Sequence, residues 1–164
     1  MNTSTLAAEA LAIAQGQVGQ QEKPMGSNSG PMVDKYLRSV GTAPGYAWCQ
    51  AFVYWCYESA AKKLGIANQV PKTAGVHDCW NRATSKVTKV TAQQQPGTIS
   101  AGDQIILLFG KDSGHTGIVE RIDGVELHTI EGNSNNNGSR EGFEVVRHVR
   151  SLQDKWLAGF IKYQ

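Results

Sequence analysis

Residues 46–55 have the sequence Tyr46-Ala47-Trp48-Cys49-Gln50-Ala51-Phe52-Val53-Tyr54-Trp55. Apolar residues continue at helical spacing to Leu64 and a glycine follows, which predicts a helix from about Trp48 to Leu64 capped by Gly65. Cys49 then lies in the first turn, where unpaired N–H groups and the helix dipole favour a thiolate over a thiol. Taken alone, Cys49 is either a nucleophile or a small buried apolar residue, as cysteines without a disulfide often are.

Length and composition indicate an ordinary globular protein. The chain has 164 residues, of which 40% are hydrophobic and 18% charged, so we expect a single domain over residues 1–164 with a sizeable core. A net charge of +2, without a cluster of Lys and Arg, argues against a nucleic-acid-binding protein. The same mild positive charge is compatible with an anionic polymer such as a cell wall. We expect a monomer that needs no metal or cofactor.

Residues 1–18 do not resemble a secretory signal, because they contain no Lys or Arg and Glu9 interrupts the apolar stretch. No stretch is long enough to cross a membrane. We therefore expect synthesis in the cytoplasm and delivery to the site of action by another route. The three cysteines leave at least one thiol unpaired. Cys56 and Cys79 either pair or are both reduced, and the missing secretory context favours the reduced form.

The order of predicted elements indicates the fold class. Helical patterns dominate the first half, and short apolar runs separated by turn signals dominate the second. Helices followed by a strand meander predict an α+β fold, with N-terminal helices packed on an antiparallel sheet of about five or six strands. The predicted helices are 5–18, 31–40, 48–64 and 74–83, and the predicted strands are 104–109, 115–121, 125–131, 144–149 and 158–163. Residues 84–96 alternate only weakly, and 133–142 form a polar loop.

A histidine and a carboxylate are predicted to meet on neighbouring strands. The Asp123-Gly124 turn makes those strands an antiparallel hairpin, which brings Glu131 back beside His115. Asn133 lies two residues after Glu131, so a regular strand would place both on one face. A carboxylate or amide at Nδ1 of the imidazole would fix its tautomer and leave Nε2 facing Cys49.

Each of these residues also has an ordinary structural interpretation. A histidine at the start of a strand is often a surface residue, and Glu-Gly-Asn is often a turn. Their joint occurrence with a cysteine at a helix start favours nucleophilic catalysis. Strand alternation places His128 on the opposite face, so we interpret it as structural. His77 and His148 have no partner pattern, and His77-x-Cys79 is too little for a zinc site.

With these residues in view, the sequence resembles a CHAP domain, the cysteine- and histidine-dependent amidohydrolase/peptidase group of the NlpC-type, papain-like hydrolases. The resemblance covers nearly the whole chain. It rests on three motifs, which are Ala47-Trp48-Cys49-Gln50-Ala51-Phe52-Val53, Gly114-His115-Thr116-Gly117-Ile118-Val119 and Glu131-Gly132-Asn133. Further matching positions support it, and they are Glu22-Lys23-Pro24, Asn28, Pro96, Gly102-Asp103 and the segments 138–142 and 150–151.

The resemblance implies a papain-like core and assigns roles to the motif residues. Cys49 would be the nucleophile, His115 the base, Glu131 the residue that orients it, and Asn133 a second polar support. Many relatives have a small residue after the cysteine, where this chain has glutamine, and an upstream oxyanion-hole glutamine is not evident. The Cys49 backbone N–H would then form the oxyanion hole, with Tyr46, Trp48 and Gln50 as further candidates for contacting the oxyanion or substrate.

The resemblance also implies that peptidoglycan is the substrate, cleaved at an amide of the peptide stem or at the bond joining the stem to N-acetylmuramic acid. We expect an antibacterial effector toxin, delivered for instance by a type VI secretion apparatus and matched by an immunity protein. A phage endolysin, a hydrolase that remodels the cell's own wall, a non-enzymatic binding module and a thiol protease or acyltransferase acting elsewhere are the alternatives. The wall of a target cell, reached in its periplasm or after secretion, is the expected place of action.

Overall fold

The computed structural model describes residues 5–134 and 142–164. Helices form the first half of the chain and strands most of the second, which confirms the predicted α+β class. The helices are α1 (Leu6–Gln17), α2 (Pro31–Ser39), α3 (Cys49–Leu64), α4 (Val76–Arg82) and α5 (Lys89–Gln94). The strands are β1 (Lys86–Thr88), β2 (Gln104–Phe109), β3 (Ser113–Asp123), β4 (Glu126–Ser134), β5 (Glu144–Ser151) and β6 (Leu157–Ile161).

The strands form one six-stranded sheet in the order β1-β6-β2-β3-β4-β5, and every neighbouring pair is antiparallel. Local chemistry sets the central hairpin, because Gly124 adopts the left-handed φ of 61° that a tight turn requires. The register then pairs Ile118 with Ile130, so β3 and β4 run side by side with one irregularity between Val119 and Arg121. The predicted hairpin is therefore confirmed.

Alternate residues of the sheet enter two apolar clusters. Ile106, Ile118 and Ile130 pack with the helices α1, α2 and α3. Residues on the opposite face of the sheet form a second cluster with residues of α5 and of the turns. The members of this cluster in the sheet are Val87, Ile105, Leu107, Val119, Leu127, Leu157 and Phe160. Helices α1 to α4 are thus held on one face of the sheet and α5 on the other, in keeping with the period-2 pattern of the strands.

Helix α3 is central to the packing. Buried side chains occur all round it, including Phe52, Val53, Cys56 and Tyr57, which is typical of a helix enclosed by other elements. It ends as predicted, because Gly65 takes a left-handed φ of 70° and closes the last turn with backbone hydrogen bonds. A buried helix of this kind gives the side chains at its first turn a fixed position relative to the sheet.

One helix was not predicted. Residues 84–96 carry only a weak alternation, yet they form the short strand β1 and the helix α5. Thr88 caps α5 by accepting a hydrogen bond from the Thr91 N–H. Ala92 is the residue of α5 that is buried against the second cluster, so tertiary packing rather than propensity accounts for this helix.

Candidate active site

Cys49 is the first residue of α3, and its side chain is almost completely buried. The residue before it anchors the helix start: the Trp48 indole N–H donates to Glu22 Oε1 at 2.9 Å, and its ring stacks on Tyr36 at a centroid distance of 5.7 Å. The Trp48 carbonyl also accepts the hydrogen bond from the Phe52 N–H at 2.9 Å. The thiol therefore projects from a rigid helix terminus, as the sequence predicted.

His115 and Glu131 meet in the interior, as the hairpin predicted. His115 Nε2 lies 2.8 Å from Glu131 Oε1, and the two side chains are 1% and 0% exposed. The predicted use of the two ring nitrogens is wrong, however: Nε2 rather than Nδ1 bonds the carboxylate. Nδ1 has no hydrogen-bond partner among the residues that the structure describes. Since Cys49 also interacts with this imidazole, we assign Nδ1 to the side facing the thiol.

The environment of His115 favours its protonated form. Burial opposes the charge, but the Glu131 carboxylate and Cys49 outweigh it and raise the pKa of His115 from 6.5 to about 9. At neutral pH the imidazolium is therefore the main species in the folded protein. An imidazolium beside a thiol is the arrangement that stabilises a thiolate nucleophile.

Glu131 is held by four donor groups. Oε1 accepts from His115 and from Arg150 Nη2 at 2.6 Å, while Oε2 accepts from Arg150 Nε at 2.8 Å and from the Thr129 hydroxyl at 2.7 Å. Burial would raise the pKa of Glu131, but Arg150 and His115 hold it well below its usual range. The carboxylate is therefore ionised despite being fully buried.

Sequence reasoning missed both Arg150 and Thr129. Thr129 carried a usable signal, because it lies two residues before Glu131 on β4 and therefore on the same face. Arg150 is 19 residues from Glu131 in sequence and reaches it from β5, where Arg150 is paired with Leu127. A buried carboxylate needs a compensating cation, which is the signal that could have prompted a search for an arginine on a neighbouring strand.

Close approach of β4 to β3 depends on Gly117. A Cβ atom at that position would lie 2.6 Å from Glu131 Cγ and 2.7 Å from the Ile130 carbonyl oxygen. Any larger residue would displace the carboxylate that bonds His115. The glycine that follows His115 in sequence thus makes room for its partner.

A cleft with a volume of about 460 Å³ opens beside Cys49. One wall is the 74–78 segment at the start of α4, and the other is formed by the turn residues Lys111 and Asp112 with the first two residues of β3. Asn133 lines the cleft together with Cys49. Charged groups of both signs stand on its rim, and they are Asp78, Lys111 and Asp112.

The prediction that Asn133 shares a face with Glu131 is wrong. Asn133 has a left-handed φ of 53°, and the register of β4 with β5 is irregular between Glu131 and Ser134. Regular alternation therefore ends after Glu131. Asn133 is nearly buried and borders the cleft, whereas Arg150 and Thr129 supply the additional hydrogen bonds to Glu131.

Two of the three further candidates do not face the cleft. Gln50 is fully buried and accepts a hydrogen bond from Gln104 Nε2 at 2.7 Å, and Trp48 is fully buried against Glu22. A substrate-contacting role for these two side chains is therefore wrong. Tyr46 is 62% exposed and lies outside the group of residues that lines the cleft, so its role stays a prediction.

The remaining histidines lie apart from the His115–Glu131 pair. His77 lines the cleft and its Nε2–H donates to the Ser113 carbonyl at 3.0 Å. His128 is on the other side of β4 and contacts Arg121, in agreement with strand alternation. Within residues 5–134 and 142–164, one group of side chains brings metal-ligating atoms together; it lies at the β3–β4 turn and consists of Asp123, Glu126 and His128. None of them lines the cleft.

The two other cysteines are buried and reduced, so the open question about their pairing is resolved in favour of free thiols. Burial raises the pKa of Cys79 to about 11 and that of Cys56 well above its usual value. Neither is therefore suited to be a nucleophile at neutral pH. In the part of the chain that the structure describes, we find no helix with the length and apolar character of a membrane span.

Comparisons with known proteins match the sequence to a family and the fold to solved structures. The model of the CHAP domain family matches residues 41–133, which include Cys49, His115 and Glu131. No curated protein sequence is similar enough to be matched.

Two solved structures resemble the fold. One is the crystal structure of Ly7917 with the hydrolyzing product of MDP, at 20% identity and a TM-score of 0.51, covering 95% of this chain and 62% of that one. The other is the crystal structure of Ly7917, at 20% identity and a TM-score of 0.47, covering 97% and 62%. This chain thus spans less than two thirds of the length of the Ly7917 chains.

Proposed function

Because the chain belongs to the CHAP domain family, we propose that it hydrolyses peptidoglycan at an amide bond of the peptide stem, with Cys49 as the nucleophile. The observation that carries the proposal is a chain of three groups: the thiol at the helix start lines the cleft, a buried imidazole interacts with it from behind, and an ionised carboxylate bonds the imidazole. Covalent acyl transfer requires a nucleophile, a base beside it and a group that orients the base.

In the proposed first half-reaction, Cys49 Sγ attacks the carbonyl carbon of the stem amide and forms a tetrahedral intermediate. The backbone N–H of Cys49, one of the unpaired donors at the helix start, stabilises the oxyanion. His115 gives its Nδ1 proton to the leaving nitrogen as the C–N bond breaks, and a thioester remains.

In the second half-reaction, His115 removes a proton from water, which attacks the thioester carbonyl. The C–S bond breaks, the fragment that carried the scissile carbonyl leaves as a carboxylic acid, and the proton on His115 restores the starting pair with the Cys49 thiolate. Glu131 remains ionised throughout, because its Arg150 and Thr129 contacts do not depend on the step. Its role is to keep Nδ1 turned toward the sulfur.

The cleft supports a peptide of mixed charge as substrate. Asp78, Asp112 and Lys111 stand on its rim, and stem peptides carry both carboxylates and amines. A net charge of +2 also suits an anionic wall polymer. These features favour peptidoglycan over a purely apolar amide, whereas a non-wall thiol protease or acyltransferase on the same fold is the alternative.

Digestion of purified peptidoglycan, followed by mass spectrometry of the soluble fragments, tests the reaction and identifies the bond. An amidase frees the lactyl carboxyl of muramic acid, whereas an endopeptidase leaves shortened stems on the sugar. Cys49→Ala should release nothing, and the matched control Cys56→Ala should keep its activity because Cys56 is a buried core residue. Release of fragments by Cys49→Ala would overturn the assignment of the nucleophile.

For the biological setting, we propose an antibacterial toxin that acts on the wall of a competing cell and has a cognate immunity protein. Phage lysis and remodelling of the cell's own wall are the alternatives. Expression in a Gram-negative host separates an effect on the wall from an effect in the cytoplasm: protein directed to the periplasm should lyse the cells, and cytoplasmic protein or periplasmic Cys49→Ala should not. Equal toxicity from the cytoplasm would contradict a wall substrate.

A further inference from the structure

We propose that Arg150 is a positioning residue that acts through Glu131 and sets the pH range in which His115 is protonated. The inference deepens the proposed function and rests on it for its effect on activity. It is carried by geometry: Arg150 bonds both oxygens of a fully buried carboxylate that also bonds the imidazole.

The bidentate contact fixes the carboxylate plane. Arg150 Nε and Nη2 reach Glu131 Oε2 and Oε1 at 2.8 and 2.6 Å, and Thr129 occupies Oε2 as well. One hydrogen-bond acceptor position on Oε1 remains, and His115 Nε2 occupies it at 2.8 Å. A guanidinium fork is suited to this task because its donors lie in a rigid plane. The ring of His115 is thereby held with Nδ1 toward Cys49.

The same contact places two cations close together. Both His115 Nε2 and Arg150 Nη2 touch Glu131 Oε1, so these nitrogens are no more than about 5.5 Å apart. A permanent positive charge at this distance disfavours a second one on the imidazole. Arg150 therefore limits how strongly Glu131 can raise the proton affinity of His115, and without Arg150 that affinity would be higher.

The charged groups around this unit come from several elements. Glu131 on β4 faces His115 and Arg150, and the Asp154 carboxylate after β5 favours the charge on Arg150. Cys49 on α3 faces His115. The cleft rim adds His77, Asp78, Lys111 and Asp112 near Cys49. Within the described residues, three side chains donate hydrogen bonds to the Glu131 carboxylate: His115, Thr129 and Arg150. Arg150 is the only one of the three with a permanent charge.

Titration of His115 by NMR tests the inference without any substrate. In full-length protein with labelled histidine, the His115 signal is assigned through His115→Ala. Arg150→Met should raise the titration midpoint of His115 by about one pH unit or more, since a unit charge is removed at close range. Arg150→Lys keeps the charge and should leave the midpoint within about 0.3 of the wild type. Arg147→Met removes a half-exposed arginine of the same strand, which pairs with Glu120 rather than Glu131, and should change nothing.

Peptidoglycan digestion then supplies the readout on activity. Arg150→Lys should lower kcat because a single ammonium cannot reproduce the bidentate contact, while the limbs of its pH profile stay in place. Arg150→Met should shift the alkaline limb upward.

An unchanged or lowered His115 midpoint in Arg150→Met would overturn the inference, as would an equal shift in Arg150→Lys. If Arg150→Met does not fold, Arg150→Lys and the neutral donor Arg150→Gln decide in the same way. If neither neutral variant folds, a midpoint in Arg150→Lys displaced by more than about 0.3 overturns the inference, and an unmoved midpoint with a reduced kcat supports it. Because the titration needs no turnover, a wrong substrate would leave this result standing.

Discussion

Replacing Glu131 with glutamine tests the buried acid–base unit, because the amide has nearly the same shape but no charge. The carboxylate accepts hydrogen bonds from His115, Thr129 and Arg150, the last through two nitrogens. Glutamine offers one acceptor oxygen and turns an NH₂ group toward donors that need an acceptor. The variant therefore loses the charge and leaves part of the Arg150 fork without a partner.

The size of the effect follows from the pKa of His115, which burial lowers but Glu131 and Cys49 raise from 6.5 to about 9. A difference of one pKa unit corresponds to about 1.4 kcal/mol, so the folded protein favours the imidazolium by about 3 kcal/mol. Without the Glu131 charge, most of this preference disappears. We expect kcat/KM to fall by about 100-fold. Glu131→Ala should lose more, because the hydrogen bond to the ring disappears too.

The same shift predicts how stability depends on pH. A histidine whose pKa is raised on folding stabilises the protein fully below its unfolded pKa, and that stabilisation is lost as pH rises through the folded pKa. The free energy of unfolding of the wild type should therefore decline between pH 6.5 and about 9. Glu131→Gln should lack most of this decline. Urea unfolding at several pH values measures the difference.

Alkylation by iodoacetamide reports the thiolate directly. In the wild type Cys49 should be alkylated at neutral pH, since it lies beside the His115 imidazolium, and mass spectrometry locates the label. In Glu131→Gln the rate of alkylation at the same pH should fall, because His115 loses the carboxylate that favours its charged form. Cys56 and Cys79 are buried and should remain unlabelled. An alkylation profile that does not change would remove Glu131 from the unit.

Other variants test the same geometry. His115→Ala should be about as damaging as loss of the nucleophile, while His128→Ala should keep most of the digestion activity because it lies on the other side of β4 against Arg121; equal loss in both would refute the choice of base. Gly117→Ala should lower activity and the His115 titration midpoint, because its Cβ would stand 2.6 Å from Glu131 Cγ. Gly16→Ala, whose Cβ meets nothing within 4 Å, is the matched control.

Sequence reasoning succeeded where the determining signals are local. A hairpin turn of two residues fixes the pairing of β3 and β4, and strand alternation then brings His115 and Glu131 together. The start of α3 was equally local, since the apolar period begins at the residue that becomes its first turn. These two features were sufficient to predict the central pair and the position of Cys49.

Long-range packing determines what was missed. Arg150 reaches Glu131 only because of the register of β5 on β4, and no single motif encodes that register. Gln50 follows the cysteine in sequence, yet helix rotation turns it inward to Gln104. The choice of ring nitrogen depends on a rotamer, which sequence spacing does not specify. Each miss is therefore a property of side-chain direction or of non-local pairing.

Two glycines connect the sequence motifs to the chemistry. Because Gly117 has no side chain, Glu131 can pack directly against β3. A Cβ at Gly132 would lie 2.8 Å from both Phe52 Cβ and Trp48 Cζ3. The first glycine sets the distance between the two strands that carry the base and its partner. The second sets the distance between β4 and the start of α3, which carries the nucleophile. Since close approach at both places is required for the unit to form, substituting either glycine should impair the site without removing a charged group.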